Sequence, residues 1–212
     1  MGFLYTRTPI TVLLFSQLFM LQIITIAQQK EHFYDNGNIK SRGPELNGMK
    51  TGEWVHFYPD GTISARENYS DNMLHGLVTY YDFKGNLIGF ENWENGYLED
   101  SATYFYSNGH IEKAGWYKMG LYEGEWLFYF ENGILKRRGH YKNGLPDGYW
   151  EFNNEDGMPF QRGYYLEGIE NGAWKFYSKD GKLEYSGHYD RGDKSGQWYY
   201  YDDQGNKEEI KF

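Results

Sequence analysis

The chain of 212 residues carries a formal net charge of −9, and 20% of its residues are aromatic. This acidic balance argues against nucleic acid as a partner, since a phosphate-binding surface needs clustered Lys and Arg. The absence of cysteine excludes a disulfide framework, a thiolate nucleophile and a Cys-based zinc site. The aromatic content is too high for a disordered acidic chain, and it predicts an ordered domain that buries mainly rings.

Residues 1–27 have the layout of a secretory signal peptide. Arg7 precedes an apolar run over residues 10–26, and the small side chains of Thr25 and Ala27 fit the −3 and −1 positions of a cleavage site before Gln28. An uncleaved membrane anchor is the alternative, but the run is short for a span and contains two glutamines. We therefore predict cleavage, no stable membrane span in the mature chain, and export to the periplasm, the outer envelope or the extracellular space.

A period of 24 residues runs through the remaining chain. Most copies open on a glycine: Gly52, Gly76, Gly124, Gly148, Gly172 and Gly196. Asp100 occupies the one register without it. A fixed period of this kind indicates a repeat array, in which each unit buries its apolar face against its neighbours. The predicted repeat domain is 28–212, with a partial copy at 32–51, full copies that start at residues 52, 76, 100, 124, 148 and 172, and a truncated copy at 196–212.

Each copy contains two turn signals. Pro59, Asp60 and Gly61 follow an aromatic, β-branched run and predict a type I turn closed by a glycine in the left-handed region. A second signal, such as Asn143-Gly144, joins one hairpin to the next. The predicted fold class is therefore all-β: an elongated antiparallel β-hairpin repeat array that forms a single twisted meander sheet.

Alternation along the strands assigns two faces to this sheet. The predicted core face carries one set of residues at a single register: Trp54, Val78, Ala102, Trp126, Trp150, Trp174 and Trp198. The opposite face carries a row of rings, here called the ring ladder: Phe57, Tyr81, Phe105, Tyr129, Tyr177 and Tyr201. Exposed rings at regular spacing are a candidate binding face. The alternative is that these rings only stack and stiffen a single-layer sheet.

The pattern Gly-x-Trp-x-x-Tyr-Tyr-x-x-Gly-x-Leu, followed by Gly-x-Tyr-x-x-Gly, resembles the MORN repeat family and in particular its bacterial variant repeats. One of the two copies that carry the match best has these residues: Gly124, Trp126, Tyr129, Gly133, Gly139, Tyr141 and Gly144. The resemblance implies stacked hairpins used for protein–protein contacts, scaffolding and, in some eukaryotic members, membrane association. Bacterial relatives are often labelled as antitoxins, which implies a cytoplasmic chain and conflicts with residues 1–27 unless the toxin lies in the envelope.

The repeats contain no recognisable catalytic, cofactor-binding or metal-binding motif. No His-x-x-x-His, His-Glu-x-x-His or Gly-x-Ser-x-Gly spacing occurs, and most carboxylates fall at turns, where Asp is ordinary turn chemistry. We therefore predict that the protein is not an enzyme and that it has no catalytic residues, no cofactor and no metal site.

Three functions follow from these features. The leading hypothesis is an exported, non-catalytic scaffold for protein–protein interaction in the cell envelope, with specificity in the variable connecting loops at residues 70–75, 118–123 and 166–171. The first alternative is binding of glycan or peptidoglycan through the ring ladder. The second is an envelope antitoxin or immunity-type protein, which requires a toxin gene nearby.

Overall fold

The computed structural model describes residues 26–211, and every regular element in this range is a β-strand. The predicted signal peptide lies outside the described residues except for its last two positions. The eighteen strands belong to one sheet. Their bounds are β1 Gln28–Phe33, β2 Ile39–Leu46, β3 Met49–Lys50, β4 Gly52–Phe57, β5 Ile63–Ser70, β6 Met73–Leu74, β7 Gly76–Tyr81, β8 Leu87–Glu94, β9 Tyr97–Phe105, β10 Ile111–Lys118, β11 Leu121–Tyr129, β12 Leu135–Lys142, β13 Leu145–Asn153, β14 Pro159–Leu166, β15 Ile169–Tyr177, β16 Leu183–Asp190, β17 Asp193–Tyr201 and β18 Lys207–Ile210.

The strands form an antiparallel meander in chain order. From β7 to β18 each strand pairs with the next. Near the N-terminus the two-residue strands β3 and β6 only start the strands β4 and β7, which pair with β2 and β5. The predicted all-β hairpin repeat array is confirmed.

The first turn of each copy has the predicted chemistry. The carbonyl of Tyr58 accepts the N–H of Gly61 at 2.9 Å, and Tyr58 donates its own N–H to Thr62 at 2.7 Å. Gly61 has a φ of 90°, which a side chain would make costly. The strand register shifts next to this turn, between His56 and Phe57. The turn is therefore a type I turn with a glycine bulge.

The second turn corrects the prediction of connecting loops. Residues 70–75, 118–123 and 166–171 are strand ends around two-residue turns, so they are not variable loops. Both central residues have positive φ, as in Met119 (50°) and Gly120 (79°). Two positive φ values are what a type I′ hairpin turn requires, and its twist matches that of the strands it joins. Consecutive hairpins are therefore joined by tight two-residue turns.

Turns of successive copies are bonded to one another along both edges of the sheet. On one edge, Gly120 donates its N–H to Leu98 at 2.8 Å, and Gly144 donates to Tyr122 at 2.9 Å. On the other edge, the Tyr106 hydroxyl donates to the carbonyl of Tyr129 at 2.8 Å. The array therefore places one turn per copy in a row along each edge.

The core is the single row predicted from alternation. Its residues are at most 3% exposed: Trp54, Val78, Ala102, Trp126, Trp150, Trp174 and Trp198. In the regular copies each ring lies over a glycine of the preceding strand. A Cβ built on Gly139 would come within 2.1 Å of the Trp150 ring, and Trp150 donates its Nε1–H to His140 at 3.1 Å. Glycine at this position is therefore what admits the tryptophan.

Candidate functional site

Two copies replace the glycine and the tryptophan together. In the regular copies each core tryptophan packs over the glycine eleven positions before it, as Trp150 does over Gly139 and Trp174 over Gly163. At the equivalent positions Glu67 precedes Val78, and Glu91 precedes Ala102. Sequence reasoning noted the missing tryptophans but missed that the glycines had changed with them. The sequence does contain this information, since, among the positions eleven before a core residue of the row, residues 67 and 91 are the two that are not glycine.

Glu91 is a buried carboxylate whose hydrogen bonds are satisfied. It is 8% exposed, and it accepts from the hydroxyls of Tyr80 at 2.8 Å and Tyr104 at 2.5 Å, and from Trp93 Nε1–H at 3.0 Å. Burial first, and then these bonds to the carboxylate, raise the pKa of Tyr80 and Tyr104 far above the ordinary 10.0. The carboxylate therefore fills the space that a tryptophan ring closes elsewhere.

Glu67 has a more polar surrounding. The Tyr69 hydroxyl donates to it at 2.6 Å, and His56 Nε2 lies 2.7 Å from the carboxylate. Burial alone would raise the pKa of Glu67, but the contacts with His56 and Tyr69 and the charge of Lys50 outweigh it, so this pKa is lowered. We call the group Glu67, Tyr69, Tyr80, Glu91 and Tyr104 the acid–tyrosine cluster. Its carboxylates are engaged within the sheet, so the cluster packs the core.

The ring ladder has one ring in each of six copies and is interrupted at Asn153, and its rings are half-buried where the sequence suggested exposed ones. Rings of the ladder pack against side chains of neighbouring strands. Phe57 lies 5.4 Å from the Arg42 guanidinium, and Phe105 lies 6.1 Å from Phe90. Tyr177 lies under Arg162 at 5.7 Å. The ladder remains a predicted binding face, with less ring surface open than the pattern implied.

A second row of apolar side chains, which we call the apolar ridge, is more exposed than the ring ladder. It follows the type I′ turns with one residue per copy, each 37% to 56% exposed: Met49, Met73, Tyr97, Leu121, Leu145 and Ile169. Four of these side chains lie against the turn glycine of the following copy: Met73, Leu121, Leu145 and Ile169. A Cβ at Gly144 would lie 3.4 Å from Leu121, and one at Gly192 would lie 3.2 Å from Ile169. The ridge is therefore closely packed from Leu121 to the turn at Gly192, and the next position in the row is the exposed Asp193.

A cleft of about 450 Å³ opens beside the ridge, between β9, β10 and β11. Trp116 lines it and is 55% exposed, whereas every other tryptophan is buried or half-buried. Three carboxylates, those of Glu99, Asp100 and Glu123, line it as well, together with Lys118.

The histidines do not form a metal site. Among residues 26–211, no three His, Asp or Glu side chains are placed to hold a metal ion together. His110 instead contacts the carbonyl of Glu131 at 2.8 Å in the row of turns. The same part of the chain contains no helix that could cross a lipid bilayer.

Comparison with known families gives three matches to the MORN repeat variant, at residues 50–71, 122–143 and 170–191. All three segments lie in the same phase of the 24-residue period. The copy with Asp100 and Ala102 is not among them. A comparison with curated proteins finds no match.

Two solved structures are similar to parts of the chain. One is a GtfA/B complex bound to UDP and GlcNAc, with 14% identity over 61% of this chain and 26% of the other, at a TM-score of 0.24. Another is a TcdB2-TccC3-Cdc42 complex, with 12% identity over 84% of this chain and 12% of the other, at a TM-score of 0.24. The chain spans about a quarter or less of their length. Three segments of the chain therefore match the MORN repeat variant, and all three lie within the single hairpin sheet.

Proposed function

We propose that this chain is an exported, non-catalytic repeat scaffold that holds a protein partner along the apolar ridge. The observation that carries the proposal is the ridge itself: six large apolar side chains, each 37% to 56% exposed, at the same position after six successive type I′ turns. Contiguous exposed apolar surface on a soluble chain marks interaction sites. The proposal of export rests on the signal-like pattern of residues 1–27.

The chemistry of the ridge favours protein over glycan. Leu121, Leu145 and Ile169 are aliphatic, and sugar faces are bound mainly by flat rings. Hot spots of protein interfaces are apolar anchors that fill pockets of the partner. Consecutive ridge residues are two strands apart, about 10 Å, so a partner that contacts several copies gains from each one. The partner surface we expect is therefore elongated and apolar.

The proposal that the scaffold is non-catalytic draws on the state of its buried acids. Glu91 accepts three hydrogen bonds and is 8% exposed, so it has no free access to a substrate. Glu67 is held by Tyr69 and His56. General acid–base chemistry needs a group within reach of the reacting atoms, and these carboxylates face other side chains of the sheet.

The test uses affinity capture followed by measurement of the captured partner. The purified chain is immobilised, envelope extract is passed over it, and a protein that is retained is identified and titrated. A Leu121→Glu/Leu145→Glu variant should weaken its binding at least about tenfold, since buried charges without partners are costly at an interface. The matched control is Leu77→Glu/Phe160→Glu, which changes two side chains 47% and 55% exposed outside the ridge.

Binding that survives the ridge variant and is lost with the control would contradict this assignment. Retention of peptidoglycan or oligosaccharide with no protein partner would contradict the proposed function and favour the glycan alternative. Circular dichroism of both variants confirms that the sheet is intact.

A further inference from the structure

The hairpin of β9 and β10 departs from the repeat at one turn position and one core position, and it carries a tryptophan at a surface position that varies between copies. Asp100 replaces the opening glycine and keeps its left-handed conformation, with a φ of 68°. Ala102 replaces the core tryptophan. Trp116 stands at a position that is Asn92 one copy earlier, His140 one copy later and Tyr164 two copies later. The side chain at this variable, exposed position is not needed to maintain the array, so it can serve a local role.

Asp100 and Trp116 meet in the cleft beside the ridge. Trp116 pairs with Ser101 on one neighbouring strand and with Glu123 on the other, so the Glu123 carboxylate starts directly across from the ring. Residues directly opposite on antiparallel strands have Cβ atoms about 5 Å apart. The backbone at Trp116 is fixed, because its carbonyl accepts Trp126 Nε1–H at 2.8 Å. The backbone from which the ring projects is therefore fixed within the sheet.

Trp116 also lines a second, shallow groove of about 240 Å³. Ser101, Thr103 and Glu125 line it, together with Trp116. Four acidic residues thus line the cleft or the groove together with one exposed indole: Glu99, Asp100, Glu123 and Glu125. Lys118 is the one basic side chain among their lining residues.

We propose that Trp116 and its carboxylates form a recognition site for an arginine or lysine side chain in a basic segment of the protein partner. This inference rests on the proposed scaffold function and names the chemistry of the partner. An indole face attracts a cation within about 6 Å of the ring centre. Carboxylates in the same cleft add charge-assisted hydrogen bonds, which suit a guanidinium in particular.

The charge of the site selects this partner over a neutral one. Two of the carboxylates also hold the turns: Glu99 accepts the N–H of Met119 at 2.7 Å, and Glu123 accepts that of Asn143 at 3.0 Å. These bonds fix two of the carboxylates, and the cleft has three acidic residues against one basic residue, Lys118. The whole chain is acidic as well, at −9, which favours association with a basic partner. The ridge residues Tyr97 and Leu121, together with the exposed turn residue Met119, supply apolar contact for the rest of such a segment.

Fluorescence titration with model peptides tests the site without knowledge of the partner. A capped hexa-arginine peptide is added to the full chain, with hexa-glutamate and a neutral N-acetylglucosamine oligomer as comparison probes. We expect the tryptophan emission to change with hexa-arginine alone, and the response to weaken as salt is added. Trp116→Leu should abolish the change in emission. Asp100→Asn should weaken binding about two- to fivefold, because Asn keeps the left-handed backbone and removes the charge.

Matched controls lie two copies further along the chain. Tyr164→Leu removes a ring 47% exposed at the position equivalent to Trp116, and Asp147→Asn removes the carboxylate at the position equivalent to Glu99. Both variants should bind hexa-arginine as the unchanged chain does. Equal loss in these controls would overturn the inference, since it would show diffuse attraction to an acidic surface. A response to the sugar oligomer with none to hexa-arginine would also overturn it.

The capture experiment and the peptide titration together distinguish a failure of this site from a failure of the scaffold proposal. If a captured partner depends on Leu121 and Leu145 but hexa-arginine causes no change at Trp116, the scaffold stands and the cationic site is wrong. If hexa-arginine binds at Trp116 but no partner depends on the ridge, the site stands and the ridge proposal fails.

Discussion

The core is packed in two different ways in two parts of the sheet. One part is the regular copies from Trp126 to Trp198, and the other is the middle copies around Glu67 and Glu91. In the regular copies an indole lies over a glycine and donates to a carbonyl ten residues before it. In the middle copies a carboxylate takes the place of the glycine, a small side chain takes the place of the indole, and tyrosines donate to the acid. The glycine position and the tryptophan position therefore change together, because an indole ring and a carboxylate cannot occupy the same space.

The largest effect is expected where the ring needs the glycine. Gly139→Ala places a Cβ about 2.1 Å from the Trp150 ring, and we expect it to lower the free energy of unfolding by about 3 kcal/mol or more. Gly89→Ala is the control in a middle copy, where the nearest atom, Tyr104 Cδ1, is 3.1 Å away. Its effect should stay below about 1 kcal/mol. Urea unfolding measures both, and similar losses would contradict the steric account.

A smaller loss is expected from the acid–tyrosine cluster. Tyr104→Phe removes a hydroxyl that donates to the buried Glu91, which should cost about 1.5–3 kcal/mol, since bonds to charged groups are the stronger ones. Tyr141→Phe in a regular copy is the control: that ring packs edge-on against Trp150 at 5.0 Å, and the change keeps the ring. Urea unfolding should show less than about 0.5 kcal/mol for the control. Equal losses would mean that the hydroxyl bond is unimportant.

The two regions should also differ at alkaline pH. The folded pKa values of Tyr80 and Tyr104 are raised above 10.0 by burial and by Glu91. Below pH 10 both the folded and the unfolded chain keep these protons, and the contribution to stability is complete. As the pH rises above 10, the unfolded chain releases protons that the folded chain retains, so the free energy of unfolding falls.

Tyr104→Phe should make this alkaline fall shallower, and unfolding followed across a pH series measures it. A fall of unchanged steepness in the variant would contradict a raised pKa at Tyr104.

The smallest effect is expected at Asp100, the residue that replaces a turn glycine. Asp100→Gly relieves a left-handed conformation at φ 68° but loses the bond from Ser101 N–H at 2.6 Å. We expect a net stabilisation of at most about 1 kcal/mol. Asp100→Asn, which keeps both the conformation and an acceptor, should change the stability less. Thermal unfolding distinguishes them, and a clear destabilisation by Asp100→Gly would show that the aspartate holds the turn.

Much of the fold was predictable because its signals are local and repeated. The Pro59-Asp60-Gly61 turn, the Asn143-Gly144 turn and the alternation around Trp126 each specify their own conformation. The array then follows from the period. The row of core residues and the strand order were predicted on this basis.

The site was less predictable because it depends on contacts across strands. The partial burial of Phe57 and Phe105 comes from Arg42 and Phe90 on neighbouring strands, which alternation along one strand does not show. The joint change of Glu91 and Ala102 becomes meaningful only once Gly139 is seen to lie under Trp150. The exposure of Trp116 likewise depends on what the adjacent copies place beside it.

The measurement that tests this account most directly is a double-mutant cycle on Glu91→Gly and Ala102→Trp, followed by urea unfolding. Each single change should destabilise the fold by about 2 kcal/mol or more, one by removing the acceptor of three donors and the other by forcing a ring against a carboxylate. The double variant, which restores the regular pair, should be more stable than the sum of the single losses predicts, with a coupling of about 2 kcal/mol. Losses that add within about 0.5 kcal/mol would contradict the claim that the two positions act as a unit.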